Sequence, residues 1–107
     1  MRGVWVVVFV TCGSVEEGER VARYVLERKL AACVSVVSGV RSLFWWGGGV
    51  EVASEVLLVI KTRLDRVREL IEAIRSVHGY EVPEVIAVPV VAGFGRYLEW
   101  VDEVLGR

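Results

Sequence analysis

The stretch Val77–Val90, VHGYEVPEVIAVPV, holds the chain's one histidine, His78, and both of its prolines, Pro83 and Pro89. Its second half is apolar and β-branched, so Val85 to Val91 reads as a strand. A proline inside a strand cannot donate to the ladder, which places this strand at a sheet edge or gives it a bulge. Immediately upstream, TRLDRVRELIEAIRSVHG keeps an apolar stripe at helical spacing through Val67, Leu70, Ile71, Ile74 and Val77. Thr62 and Asp65 mark the start of that helix and Gly79 its stop.

The same alternation repeats earlier in the chain. Val4 to Cys12 is nearly continuous valine, the pattern of a strand buried on both faces. SVEEGERVARYVLERKL follows as a helix. Ser14 and Glu17 form a capping box, Glu16 and Glu17 suit the N-terminal dipole, and Arg28 and Lys29 suit the C-terminal end. Ala31 to Val40 and Val50 to Lys61 are strands on either side of WWGGGVE, a hairpin turn that needs residues able to adopt φ > 0. Tyr97, Leu98, Trp100, Val101, Val104 and Leu105 make a short amphipathic tail helix. The order β-α-β-β-α-β plus a tail helix predicts an α+β, ferredoxin-like plait in one domain, residues 1–107. The strand order is 4-1-3-2, with the Pro89 strand at an edge and the helices on one face. The other face has no helices of its own yet is apolar, so that face, or the sheet edges, must meet another subunit.

Composition supports self-association and excludes several other classes. Of the 107 residues 54% are hydrophobic, too many for a small domain to hide within itself. The apolar runs are all strand-length, well short of the roughly 18 residues that a membrane span needs. MRGVWVVVFVT lacks a small-residue cleavage site and reads as a first strand, not a signal peptide. Thirteen basic and fourteen acidic residues leave a net charge of −1, without the clustered positive face that nucleic acid requires. Cys12 and Cys33 show no CxxC spacing and read as buried free thiols in a reducing cytoplasm. Few thermolabile amides (no Asn or Gln occurs) point towards a thermostable protein.

No catalytic template fits. One histidine, two helical aspartates (Asp65 and Asp102) and scattered serines do not make a nucleophilic triad. GGGV lacks the Lys-Ser or Lys-Thr of a phosphate loop, and no zinc spacing is present. His78 can close its helix by meeting the last carbonyls, or it can ligate a cation. Glu81 and Glu84 follow it and would add carboxylate oxygens, while imidazole suits copper or zinc. A site drawn from so short a stretch needs further ligands from a neighbouring subunit. FWWGGG is either interface packing or a stacking platform. Glu55 and Lys61 share sequence parity, so they share a strand face.

ERKLAACVSV, SLFWWGGGVE, Glu55 with IKT, HGYEVPEVIAVPV and YLEW follow one another in an order and spacing that resembles the CutA divalent-cation-tolerance family, from Val4 to Leu105. The resemblance implies a ferredoxin-like subunit, a homotrimer similar to the PII signalling proteins, and a link to copper and other divalent metals; with no catalytic template present the chain is read as a non-enzyme, an enzyme with an intersubunit active site being the third reading. It implies ligand sites in clefts between subunits. Trp46, Glu51, Glu55, Lys61, Thr62, Tyr80 and Trp100 match recurrent positions of that cleft, with Pro83 nearby, and His78, Glu81 and Glu84 are the metal candidates. The chain departs from the family's usual pattern at Gly79, where proline is common, at Gly47 and Gly49 in the turn, and at Val10, where some members carry a metal-linked cysteine. A PII-like module that binds a small anionic metabolite or nucleotide and acts on a partner protein is the competing expectation.

Overall fold

Strand β1 (Trp5–Cys12) lies at the centre of the molecule because its valines are apolar on both faces. A computed structural model describes residues 4–106; Met1 to Gly3 and Arg107 lie outside the described residues, including the first three residues of the segment read as a leading strand. The remaining elements are α1 (Val15–Glu27), β2 (Cys33–Trp46), β3 (Gly49–Arg63), a 3₁₀ turn (Leu64–Arg66), α2 (Val67–Val77), β4 (Val85–Pro89) and α3 (Gly95–Leu105). Sheet order is β2-β3-β1-β4, with every neighbouring pair antiparallel. The fold is the expected ferredoxin-like plait. β4 is an edge strand and ends on Pro89, two residues short of the expected Val91. Val90 N–H still donates to Trp5 O at 2.9 Å, so the Pro89 nitrogen faces the open edge, where no donor is needed.

Alternate residues of β1 and β3 build the core. Val6, Val8, Val10 and Cys12 with Leu58 and Ile60 are buried beneath Val21 and Val25 of α1 and Leu70 and Ile74 of α2. At α1, Ser14 Oγ accepts the Glu17 N–H at 3.1 Å, which is half of the expected capping box. The Glu17 carboxylate does not return to Ser14; it reaches Gly13 N–H instead. At the other end Lys29 adopts φ 58, with Lys29 N–H bonded to Leu26 O and Leu30 N–H to Val25 O, both at 3.0 Å. These two bonds are a Schellman closure, formed here without the usual glycine.

The start and stop of the second helix both differ from expectation. Thr62 belongs to β3, and its buried hydroxyl donates to Leu30 O at 2.7 Å. A hydroxyl able to satisfy a loop carbonyl in the core does more there than at an exposed cap. His78 caps α2 in an extended conformation, φ −81 and ψ 143, and Gly79 has no left-handed φ. Gly79 is small for a different reason: its N–H comes within 2.6 Å of the Glu17 carboxylate.

β2 runs past the expected Val40 to Trp46 and pairs with the first half of β3 as an arm, closed by Gly47 (φ 59) and Gly48 (φ 82) between Trp46 and Gly49. Two consecutive positive φ values make the tight hairpin turn whose twist suits antiparallel strands. Between Val37 and Val40 the register slips by one residue at Gly39, φ 77, a bulge where the arm leaves the body of the sheet. Beyond it Leu43, Trp45, Trp46, Val50 and Val52 are exposed, Trp45 by 76%.

α3 corrects the expectation of a wholly bare second face. Trp5 pairs with Arg63 and by alternation faces away from Val6. Trp5 packs with Ala32, Val101, Val104 and Leu105, and its Nε1–H donates to Asp102 Oδ1 at 3.1 Å. Arg63 Nη1 reaches the same oxygen at 3.1 Å. The rest of that face stays uncovered, with Val37, Ile86 and Val88 exposed.

Candidate functional site

The chemistry gathers where β1 ends, α1 begins and α2 stops. Gly13 turns the chain out of β1, and four residues later Glu17 lies on the buried side of the first turn of α1. Glu17 Oε1 accepts Gly13 N–H at 2.8 Å, and Oε2 accepts Gly79 N–H at 2.6 Å, 62 residues away. Burial alone would raise this carboxyl, but the two main-chain donors, with His78 and Arg20 nearby, outweigh it and hold the group below its ordinary value. A Cβ on Gly79 would stand 2.6 Å from Glu17 Oε2, so the Glu17 carboxylate would have to shift to admit it.

The His78 imidazole has no solvent exposure. Its Nε2 lies 2.7 Å from Thr11 O, and a carbonyl only accepts, so Nε2 carries the proton. Nδ1 then accepts Tyr80 N–H at 2.9 Å. Both ring nitrogens are engaged in this conformation. The ring leans on Tyr80, with centroids 4.8 Å apart, and the Tyr80 hydroxyl donates to Glu55 Oε2 at 2.8 Å. The Tyr80 phenol is pushed up to about 12, by burial first and then by the bond to Glu55 and its charge. The Cys12 thiol at the same strand end is fully buried and pushed up to about 11, by burial first and then by Glu17 and Glu55. Cys33, expected to be buried, is half-exposed near Tyr97.

Glu81 and Glu84 follow on the turn and are exposed. Among the described residues no group of three His, Cys, Asp or Glu side chains is arranged to hold a metal ion. His78, Glu81 and Glu84 therefore do not make a cation site within one subunit. Nor do the cleft positions converge. Glu55 and Tyr80 meet, whereas Trp46 and Glu51 lie at the arm's end. Lys61 Nζ donates to Ser35 Oγ at 2.7 Å and to Val59 O at 3.1 Å on the uncovered face. Thr62 faces the interior, 1% exposed, and Trp100 stacks on Tyr97 in α3 with centroids 5.6 Å apart. Glu17 is the residue whose tertiary contacts the sequence did not signal. Its place beside Ser14 was visible as a capping box, but nothing local in the sequence linked it to Gly79.

Comparison with known proteins gives a consistent picture. The family described as CutA1 divalent ion tolerance protein matches residues 6–104. The divalent-cation tolerance protein CutA of Archaeoglobus fulgidus is 38% identical over 98 residues, 92% of this chain and 95% of that one. Protein CutA of Mus musculus is 48% identical over 96 residues, 90% of this chain but 54% of the mouse protein, so this chain spans about half of it. A solved structure, that of the periplasmic divalent cation tolerance protein CutA from Archaeoglobus fulgidus, matches with a TM-score of 0.93 at 36% identity, covering 95% of this chain and 99% of that one. The family and its Archaeoglobus member are named for ion tolerance and not for a catalysed reaction. Among the described residues no helix is long and apolar enough to cross a membrane.

Proposed function

The chain belongs to the CutA1 divalent ion tolerance family, and from that premise we propose that it is a single-domain, cytoplasmic subunit of a PII-like homotrimer that binds copper or another divalent cation in the clefts between subunits. The observation that carries this reading is the exposed apolar arm of β2 and β3, a surface that an isolated small domain does not leave in water. A neighbouring copy lying against it would bring Trp46 and Glu51 of one subunit towards Glu55, Lys61, Tyr80 and Trp100 of another, with Thr62 supporting Lys61 from the interior. Within one subunit Glu55 and Tyr80 meet, while Trp46 and Glu51 stay apart from them at the arm's end.

Glu81 and Glu84 offer exposed carboxylates to a cation, and a second subunit completes the set. His78 takes part only through Nδ1, and only once Tyr80 N–H lets go of it. Nε2 remains committed to Thr11 O. Copper is the cation best suited to a mixed nitrogen and oxygen set.

Calorimetric titration of Cu²⁺ tests the assignment. Glu81→Gln with Glu84→Gln is expected to weaken binding at least about tenfold, or roughly 1.4 kcal/mol, while the assembly persists. His78→Ala reports separately on the ring: a comparable loss makes His78 a ligand, and unchanged affinity makes it a structural cap. Copper binding that survives all three substitutions together overturns the assignment.

A further inference from the structure

We infer that Glu17 is a positioning residue for the cation cleft: its carboxylate ties the Gly13 turn to the Gly79 turn and so sets where Tyr80, Glu81 and Glu84 stand. The inference rests on the cleft reading above for its functional consequence, but its geometry is independent of that reading. The two oxygens of one side chain are divided between two main-chain N–H groups from distant segments, at 2.8 and 2.6 Å. A carboxylate serving only to complement its own helix would turn back to the Ser14 N–H, and this one does not.

The neighbouring contacts all depend on that tie. With Gly79 held, the chain leaves α2 so that Tyr80 N–H falls on His78 Nδ1 and the Tyr80 hydroxyl on Glu55. His78 anchors the same turn to the end of β1 through Thr11 O. The turn thus has three moorings, at Glu17, Thr11 and Glu55, and only the Glu17 mooring reaches two segments with one group. Steric fit follows from the same close approach. Gly79 lies so near Glu17 that a Cβ at 79 would displace the carboxylate from its present place.

Amide hydrogen exchange on the intact assembly, with Cu²⁺ titration in parallel, tests the inference. Glu17→Ala is expected to speed exchange at Gly79 and Tyr80 at least tenfold while amides within α2 hold their rates, and to weaken Cu²⁺ binding about tenfold. The Tyr80 amide is the decisive reporter, because its acceptor is His78 and not Glu17. Glu17→Gln keeps one acceptor oxygen and should restore part of both effects. In a double-mutant comparison, Gly79→Ala should be harmful beside Glu17 and tolerated beside Glu17→Ala. If Glu17→Ala instead speeds exchange equally across the core, or leaves Tyr80 unchanged, Glu17 is a general stabiliser and the inference is overturned. If the unmodified protein binds no Cu²⁺, the cleft reading fails while the exchange rates still decide the positioning role.

Discussion

Burial first, and then the bond that its hydroxyl donates to the Glu55 carboxylate, govern when the Tyr80 phenol loses its proton. In the folded chain it ionises at about 12, against 10 for an ordinary phenol. Between those values the unfolded chain has released a proton that the folded chain still holds. The contribution to stability is therefore fully present below pH 10 and is lost as pH rises through about 12. With Tyr24 and Tyr97 replaced by phenylalanine, phenolate absorbance should follow Tyr80 alone. Glu55→Gln is then expected to bring the transition down towards 10. A titration that Glu55→Gln does not move would show that the 2.8 Å bond is not made in solution. Cys12 obeys the same rule, since a thiol held near 11 beside two carboxylates is not a thiolate at neutral pH.

Elements in this fold end by side-chain or main-chain closures that their own sequences signal only in part. α1 stops at Lys29 in the left-handed region, where an L side chain with a Cβ is strained and glycine is not. The bonds from Lys29 and Leu30 back to Leu26 and Val25 impose that conformation, and Val25 and Leu30 both lie in the core. Lys29→Gly should keep the closure and relieve the strain. Its greater freedom in the unfolded chain offsets part of the gain, and a net stabilisation of up to about 1 kcal/mol is expected by denaturant unfolding. A loss of stability would mean that the Lys29 side chain makes compensating contacts. The helix-like start signal at Thr62 failed for a related reason: the Thr62 hydroxyl is used by the Leu30 carbonyl across the core, so the strand continues to Arg63.

The whole molecule measures 46 × 26 × 22 Å, and its long dimension fits a domain that carries a projecting arm. Leu43 and Val52 are cross-strand partners on that arm, both exposed. If the arm packs against neighbouring copies, light scattering after gel filtration gives about three times the 11.9 kDa chain mass. Leu43→Glu with Val52→Glu introduces two like charges into the contact. The pair is expected to reduce the mass to that of one chain or to prevent soluble expression. An unchanged trimer in this variant would exclude the arm from the interface, and a unit-mass wild type would end the trimer reading. Assembly also makes the melting temperature rise with protein concentration where unfolding is reversible.

The order of elements, the edge position of the Pro89 strand and the two-glycine turn were legible in the chain itself. Each depends on local chemistry: apolar period, a missing N–H donor, and the ability to adopt φ > 0. The family resemblance was legible too, because short motifs keep their spacing. The arm beyond Val40 was not, because its exposed aromatics look like loop residues until strand pairing with β3 accounts for their backbone. The fold of α3 over Trp5 likewise depends on Asp102 meeting Arg63 and Trp5, 39 and 97 residues away. His78 marks the limit most clearly. Sequence could show a lone imidazole beside carboxylates, but only tertiary structure decides which partners reach its two nitrogens. Thr11 and Tyr80 do, because β1, α1 and α2 converge there, and the Glu17 carboxylate holds that convergence together.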